Sequence, residues 1–255
     1  MVTHKNFWTL TPNGTKILRN LQKENLEFTR EEYLNGNFDG NNYQWYEMFH
    51  HYINDDIGCD YERYGCLLQP NDVVLDIGAN IGIFSFRAEQ RGASKVYCFE
   101  PLLPTFNCLQ KNKGKKTEIF NLGVGSKNEL RTFKIHTDFT HIGGGGSDPH
   151  NQISPDKIIY EQTSYVVNIN DIFTTIKTRI DFMKIDIEGG EVEVLNTISD
   201  ENLSSLRCLA AEFHYSEGFD DFQNNFIKRM NDLNFNTFIL YHGDGSLRTL
   251  NCWKK

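Results

Sequence analysis

No stretch of this chain approaches the roughly 18 consecutive apolar residues that a membrane-spanning helix requires. The opening Met1-Val2-Thr3-His4-Lys5-Asn6 also lacks the apolar core of a secretory signal. A soluble, cytoplasmic protein with no membrane partner is the expectation. Excess positive charge is missing too: 26 Lys and Arg stand against 34 Asp and Glu, a net charge of −8. Such a balance opposes attraction to polyanions, so nucleic acid is not expected as a partner. The cluster Lys111, Lys113, Lys115 and Lys116 reads as the solvated end of a helix and its following loop. Close cysteine pairs are absent as well. Cys59, Cys66, Cys98, Cys108, Cys208 and Cys252 are scattered, which points to reduced, packed thiols, and no metal is assigned.

What is present changes character along the chain. Residues 1–70 are rich in aromatics (Phe7, Trp8, Tyr33, Trp45, Phe49 among them) without strand-helix alternation, and are expected to form an N-terminal helical extension that packs on the core or walls a pocket. From residue 71 to 255 short β-branched or aromatic runs alternate with helical segments. The expected strands are Val73 to Ile77, Lys95 to Phe99, Glu118 to Leu122, Ile180 to Ile185, Leu206 to Phe213 and Asn236 to Tyr241. That alternation predicts an α/β domain with a doubly wound, mostly parallel sheet. It breaks at about 124–163, where Leu130 to Ile135 can form an inserted strand. There the run Gly143 to Gly146, flanked by His136, His141 and His150, suits a mobile loop over the sheet.

The most informative stretch is Val73-Val74-Leu75-Asp76-Ile77-Gly78-Ala79-Asn80-Ile81-Gly82-Ile83, a buried strand running through a glycine turn into a helix. Gly78 and Gly82 remove side chains where a ligand approaches backbone, and the helix start offers unpaired N–H groups. The second strand ends in Phe99-Glu100-Pro101, placing a carboxylate where doubly wound folds hold a ribose. Nicotinamide dinucleotides and S-adenosylmethionine both use this layout. The dinucleotide fingerprint G-x-G-x-x-G needs a small middle residue against the pyrophosphate. Here Asn80 stands there and Gly82 is out of register, which favours S-adenosylmethionine, with Asp76 orienting the turn or meeting an amino group.

In these segments, in Met183-Lys184-Ile185-Asp186-Ile187-Glu188-Gly189-Gly190-Glu191 and in Glu212-Phe213-His214, the chain resembles the FkbM-type family of class I S-adenosylmethionine-dependent methyltransferases. The resemblance implies a seven-stranded Rossmann-like sheet whose last, antiparallel strand Ser246 to Leu250 can supply. It also implies O-methylation of a sugar or other small-molecule hydroxyl. By position, Asp76, Gly78, Asn80 and Gly82 would face the methionine part, Glu100 the ribose, and Asn121 and Leu122 the adenine.

Methyl transfer is an in-line displacement, so the protein mainly aligns cofactor and acceptor. An alcohol acceptor benefits from a nearby base, expected at the carboxyl ends of the strands. Asp186, Glu188 and His214 are the catalytic candidates there, whereas Glu191 suits a helix-start role. The competing functions are an NAD-dependent oxidoreductase and a catalytically idle cofactor-binding module.

Overall fold

The computed structural model describes residues 6–10, 16–20, 59–136, 158–214, 219–242 and 247–255. In chain order its elements begin with β1 (Asn6–Leu10), β2 (Lys16–Asn20), β3 (Val73–Ile77), α1 (Ile83–Gln90), β4 (Lys95–Phe99) and α2 (Leu103–Asn112). There follow β5 (Thr117–Phe120), β6 (Gly123–Gly125), β7 (Glu129–His136), β8 (Ile158–Asn168), α3 (Ile169–Thr175) and β9 (Phe182–Ile185). The remainder is α4 (Glu191–Thr197), α5 (Asp200–Ser205), β10 (Cys208–His214), α6 (Phe219–Asp232), β11 (Phe235–His242) and β12 (Leu247–Lys254).

Seven strands form one sheet in the order β11-β12-β10-β9-β3-β4-β5. Pairing is parallel from β10 across to β5, and β12 enters antiparallel between β10 and β11. The central strands read as nearly unbroken apolar runs because both their faces are covered. On one face Leu75, Ile77, Met183, Ile185 and Leu209 pack against Ile172 of α3, Leu195 of α4, Leu203 of α5 and Met230 of α6. On the other, Val74, Val96, Phe182 and Ala210 meet Phe84 and Ala88 of α1 and Leu109 of α2. The fold is therefore the doubly wound, Rossmann-like α/β arrangement, with the antiparallel strand at Leu247–Lys254.

The expected helical extension is corrected over its described part. Asn6–Leu10 and Lys16–Asn20 pair as an antiparallel ribbon, Asn6 opposite Asn20 and Leu10 opposite Lys16. Aromatic and β-branched residues favour extended backbone, and Pro12 with Asn13-Gly14 between the two runs opposes a continuous helix. Residues 21–58 lie outside the described residues. Cys59, Tyr61, Cys66 and Leu68 are buried in the same cluster as Val74 and Phe84, so this stretch packs directly on the sheet.

The insertion forms a second sheet, β6-β8-β7, with β7 and β8 antiparallel. The run Gly143 to Gly146, His141 and His150 lie outside the described residues. All six cysteines are buried free thiols. Burial pushes the Cys59 thiol up to about 12. No helix among the described residues is long and apolar enough to cross a membrane.

Candidate functional site

The turn after β3 is tied to the neighbouring strand end, where the N–H groups of Gly78 and Ala79 both donate to the Phe99 carbonyl, each at 3.0 Å. Gly78, Asn80 and Gly82 all have positive φ, at 75°, 49° and 92°. Glycine takes that conformation freely, and Asn tolerates it better than most residues. A Cβ at Gly78 would lie 1.7 Å from the Asp186 carbonyl oxygen, so no side chain fits. At Gly82, the residue capping α1, a Cβ would lie 2.7 Å from Leu109 Cδ1. The second glycine thus serves helix packing.

Glu100, next after β4, is 5% exposed. Its Oε1 accepts from Leu102 N at 2.9 Å and Thr105 Oγ1 at 2.8 Å, and its Oε2 from Asn80 N at 2.9 Å. Burial pushes this carboxyl above its ordinary range against the pull of these donors. A carboxylate has about four acceptor positions, so Oε2 retains capacity for one further donor. Asn121 braces the same backbone: its Nδ2 donates to the carbonyls of Glu100 at 2.9 Å and Pro101 at 3.0 Å. Gln162 and Ser164 of β8 also donate to the Pro101 carbonyl, at 2.7 and 2.8 Å. The inserted sheet is therefore tied to the backbone that follows Glu100.

A cleft opens over these groups, lined by Gly78, Asn80, Glu100, Leu122, Phe133 and Asp186 among others. Glu188 and Arg131 also face it. A smaller hollow shares Gly78 and Asn80 and is lined by Ile83, Phe84 and Lys184. Arg131 is held by Glu129 at 2.7 Å and by both Glu193 oxygens, at 2.9 and 3.1 Å. Burial raises the Glu193 carboxyl, but hydrogen bonds from Arg131 and Ser126 outweigh it and leave the group at about 2.

Behind the turn lies a buried polar cluster. Lys184, 2% exposed, donates to the Gly78 carbonyl at 2.8 Å and sits 3.6 Å from Asp76 Oδ1 and 3.3 Å from Asp186 Oδ2. Burial pulls this ammonium down, but the carboxylates of Asp186, Asp76 and Glu212 more than offset that and hold it above its ordinary value. Burial raises the Asp76 carboxyl, opposed by Lys184. The Tyr61 hydroxyl lies 3.1 Å from Asp186 Oδ2 and 2.8 Å from Glu212 Oε2.

Of the residues marked from sequence, Gly78, Asn80, Glu100, Leu122, Asp186 and Glu188 come together on the cleft. Asp76 is fully buried behind the turn as a counter-ion of Lys184, Gly82 packs on α2, and Asn121 is a brace. His214 ends β10 at the same sheet edge, opposite Leu247, and its ring lies outside the described part of the structure. Glu191 folds back to accept from Ile187 N at 2.9 Å and Gly189 N at 3.0 Å, its helix-start role. Among the described residues no group of three or more His, Cys, Asp and Glu is arranged to hold a metal ion.

Sequence reasoning missed Lys184, Tyr61 and Arg131 as site residues. A lysine inside the apolar run Phe182-Met183-Lys184-Ile185 was the available signal, because a buried charge demands buried partners. Tyr61 and Arg131 carry no comparable local sign.

A family model described as the methyltransferase FkbM domain matches residues 76–237. The 31-O-demethyl-FK506 methyltransferase FkbM of Streptomyces tacrolimicus is 29% identical over 187 residues, covering 62% of this chain and 71% of that protein. AMB antimetabolite synthetase AmbE of Pseudomonas aeruginosa is 28% identical over 199 residues, covering 64% of this chain. The chain spans only 9% of AmbE's length. Among solved structures, an rRNA methylase from Streptococcus thermophilus has 10% identity and a TM-score of 0.45, with 73% of this chain and 89% of that one covered.

Proposed function

From the premise that the chain belongs to the methyltransferase FkbM domain family, we propose that it is an S-adenosylmethionine-dependent O-methyltransferase acting on a hydroxyl of a sugar or other small molecule. The observation that carries the cofactor reading is the juxtaposition of a turn that admits no side chain at Gly78 with a buried Glu100 whose Oε2 can accept one more donor. The residues present fit the cofactor: Gly78 and Asn80 would flank the methionine part, Glu100 would accept from a ribose hydroxyl, and Leu122 would cover one face of the adenine.

When bound, the cofactor supplies a methyl group activated on a sulfonium. The chain's own contribution is alignment and proton handling. Asp186 lies on the cleft with Lys184 3.3 Å from its Oδ2, which holds the carboxylate in one orientation. It can accept the acceptor hydroxyl's proton. Phe133 and Leu122 give the cleft apolar lining, which would limit the access of water.

Calorimetric titration with S-adenosylmethionine, S-adenosylhomocysteine and NAD tests the cofactor, and binding of NAD alone would overturn the reading in favour of an oxidoreductase. Incubation with S-adenosylmethionine and a panel of sugars and other small alcohols, read by mass spectrometry for an added methyl group, tests the acceptor class. Cofactor binding with no product from any acceptor class would favour an idle binding module.

A further inference from the structure

The polar cluster beside the cleft is completed by a side chain from outside the family-matched stretch. We propose that Tyr61 is a positioning residue for methyl transfer, joining Asp186 and Glu212 into one hydrogen-bonded unit that carries the acceptor's proton away from the cleft. The proposal rests on the methyltransferase reading above and deepens it.

Tyr61 precedes residues 76–237, yet its ring is only 1% exposed. It packs edge-on against Phe84, with centroids 5.7 Å apart and planes at 77°, and Lys184 Nζ lies 5.4 Å from its centre. These contacts aim the hydroxyl between two carboxylates, 2.8 Å from Glu212 Oε2 and 3.1 Å from Asp186 Oδ2. A phenol has one proton to donate. The shorter contact assigns it to Glu212, so the oxygen's lone pairs face Asp186. That arrangement becomes a complete chain of hydrogen bonds when Asp186 is protonated and donates to Tyr61.

The proton path then balances. The acceptor oxygen bonds to the methyl carbon as the sulfur–methyl bond breaks and its electron pair stays on sulfur, while the hydroxyl proton passes to Asp186. Asp186 Oδ2 gives a proton to Tyr61 Oη as the phenolic proton moves to Glu212 Oε2. Asp186 is again a carboxylate, Tyr61 is again a phenol, and the proton rests on Glu212. Among the described residues the charged groups around the path include Asp76 from β3, Lys184 from β9, Asp186 just after it and Glu212 from β10.

Tyr61→Phe tests the idea because it keeps the ring and its packing and removes only the hydroxyl. S-adenosylhomocysteine should bind it within about twofold of the wild type. Carboxyl-carbon NMR of Asp186 and Glu212 needs no acceptor. Tyr61→Phe should move the Glu212 titration upward, since its charged form loses a donor, and that of Asp186 downward, since its protonated form loses an acceptor, and Glu212→Gln should also move that of Asp186. With a hydroxyl acceptor, kcat should fall about tenfold or more in Tyr61→Phe at unchanged KM, and the Tyr61→Phe/Glu212→Gln pair should be no slower than the worse single variant. Identical Asp186 titrations in all three proteins, or additive losses in the pair, would overturn the proposal. Failure of the wild type to bind S-adenosylhomocysteine would instead remove the methyltransferase reading, leaving the NMR titrations to decide the unit alone.

Discussion

Gly78 and Asp186 touch through their backbones: a Cβ on the glycine would stand 1.7 Å from the aspartate's carbonyl oxygen. The turn after β3 and the backbone just after β9 are therefore in direct contact, and the glycine is required by its neighbour as much as by its φ of 75°.

Gly78→Ala should accordingly be severe. The left-handed conformation alone costs an L-residue about 1 to 2 kcal/mol, and the backbone contact forces β3 and β9 apart as well. Thermal unfolding should show a clear loss of stability, and calorimetry a loss of S-adenosylhomocysteine affinity of about tenfold or more. Retention of both would mean that the turn relaxes away from Asp186 at little cost.

Removing Lys184 should expose the charge balance of the buried cluster. Lys184→Met leaves Asp76 and Asp186 without their shared cation, a loss expected at about 3 to 5 kcal/mol. Adding Asp76→Asn should recover part of it, because one of the stranded charges disappears. Chemical denaturation of the wild type, the single and the double variants measures this. A double variant weaker than Lys184→Met would count against the shared ion pair.

The Arg131–Glu193 pair predicts a pH signature. The Glu193 carboxyl sits at about 2 in the fold, against an ordinary glutamate value of 4.5. A depressed acid contributes stability above its unfolded value and loses it as pH falls through its folded value. Glu193→Gln should therefore cost stability at pH 7, about 1 to 2 kcal/mol after allowance for solvent screening. The gap to wild type should close as pH falls from about 4.5 toward 2. A gap that is constant over that interval would show that Glu193 acts by packing alone.

Asp186→Asn and His214→Ala separate base from scaffold. If Asp186 takes the acceptor's proton, Asp186→Asn should lower turnover by roughly 10²-fold while cofactor affinity holds within about twofold. His214→Ala should then have the smaller effect on rate. Equal activity in both variants and the wild type, measured with any methylated acceptor, would mean that alignment alone suffices.

Much of the sheet was legible because a strand covered on both faces leaves a contiguous apolar run. Val73–Ile77 and Lys95–Phe99 match the sequence reading at both ends. The third strand stops at Phe120, short of the expected Leu122, because Asn121 turns its amide onto the backbone of Glu100 and Pro101. Motif spacing brought Gly78, Asn80, Glu100, Asp186 and Glu188 to one cleft, since strand ends and the turns after them share an edge. Depth was not legible: Asp76 belongs to the same motif as Gly78 and is wholly buried. Nor were partners brought by tertiary packing. Tyr61 reaches Glu212 across 151 residues of chain, and Arg131 reaches Glu193 across 62. Around Phe7 and Trp8 aromatic content carries no helical period, and the described residues there are an extended ribbon.

The position of β12 has a consequence for how the sheet assembles. β11 precedes it in the chain, yet among the described strands its sheet partner is β12, which joins it to β10. The pair are separated by just the residues between His242 and Leu247. Such local antiparallel ribbons close in microseconds, whereas the parallel strands must first bring distant segments together. The outer third of the sheet is thus suited to arrive as a preformed hairpin docking on β10, and completion of the carboxyl edge that carries Glu212 waits on that docking.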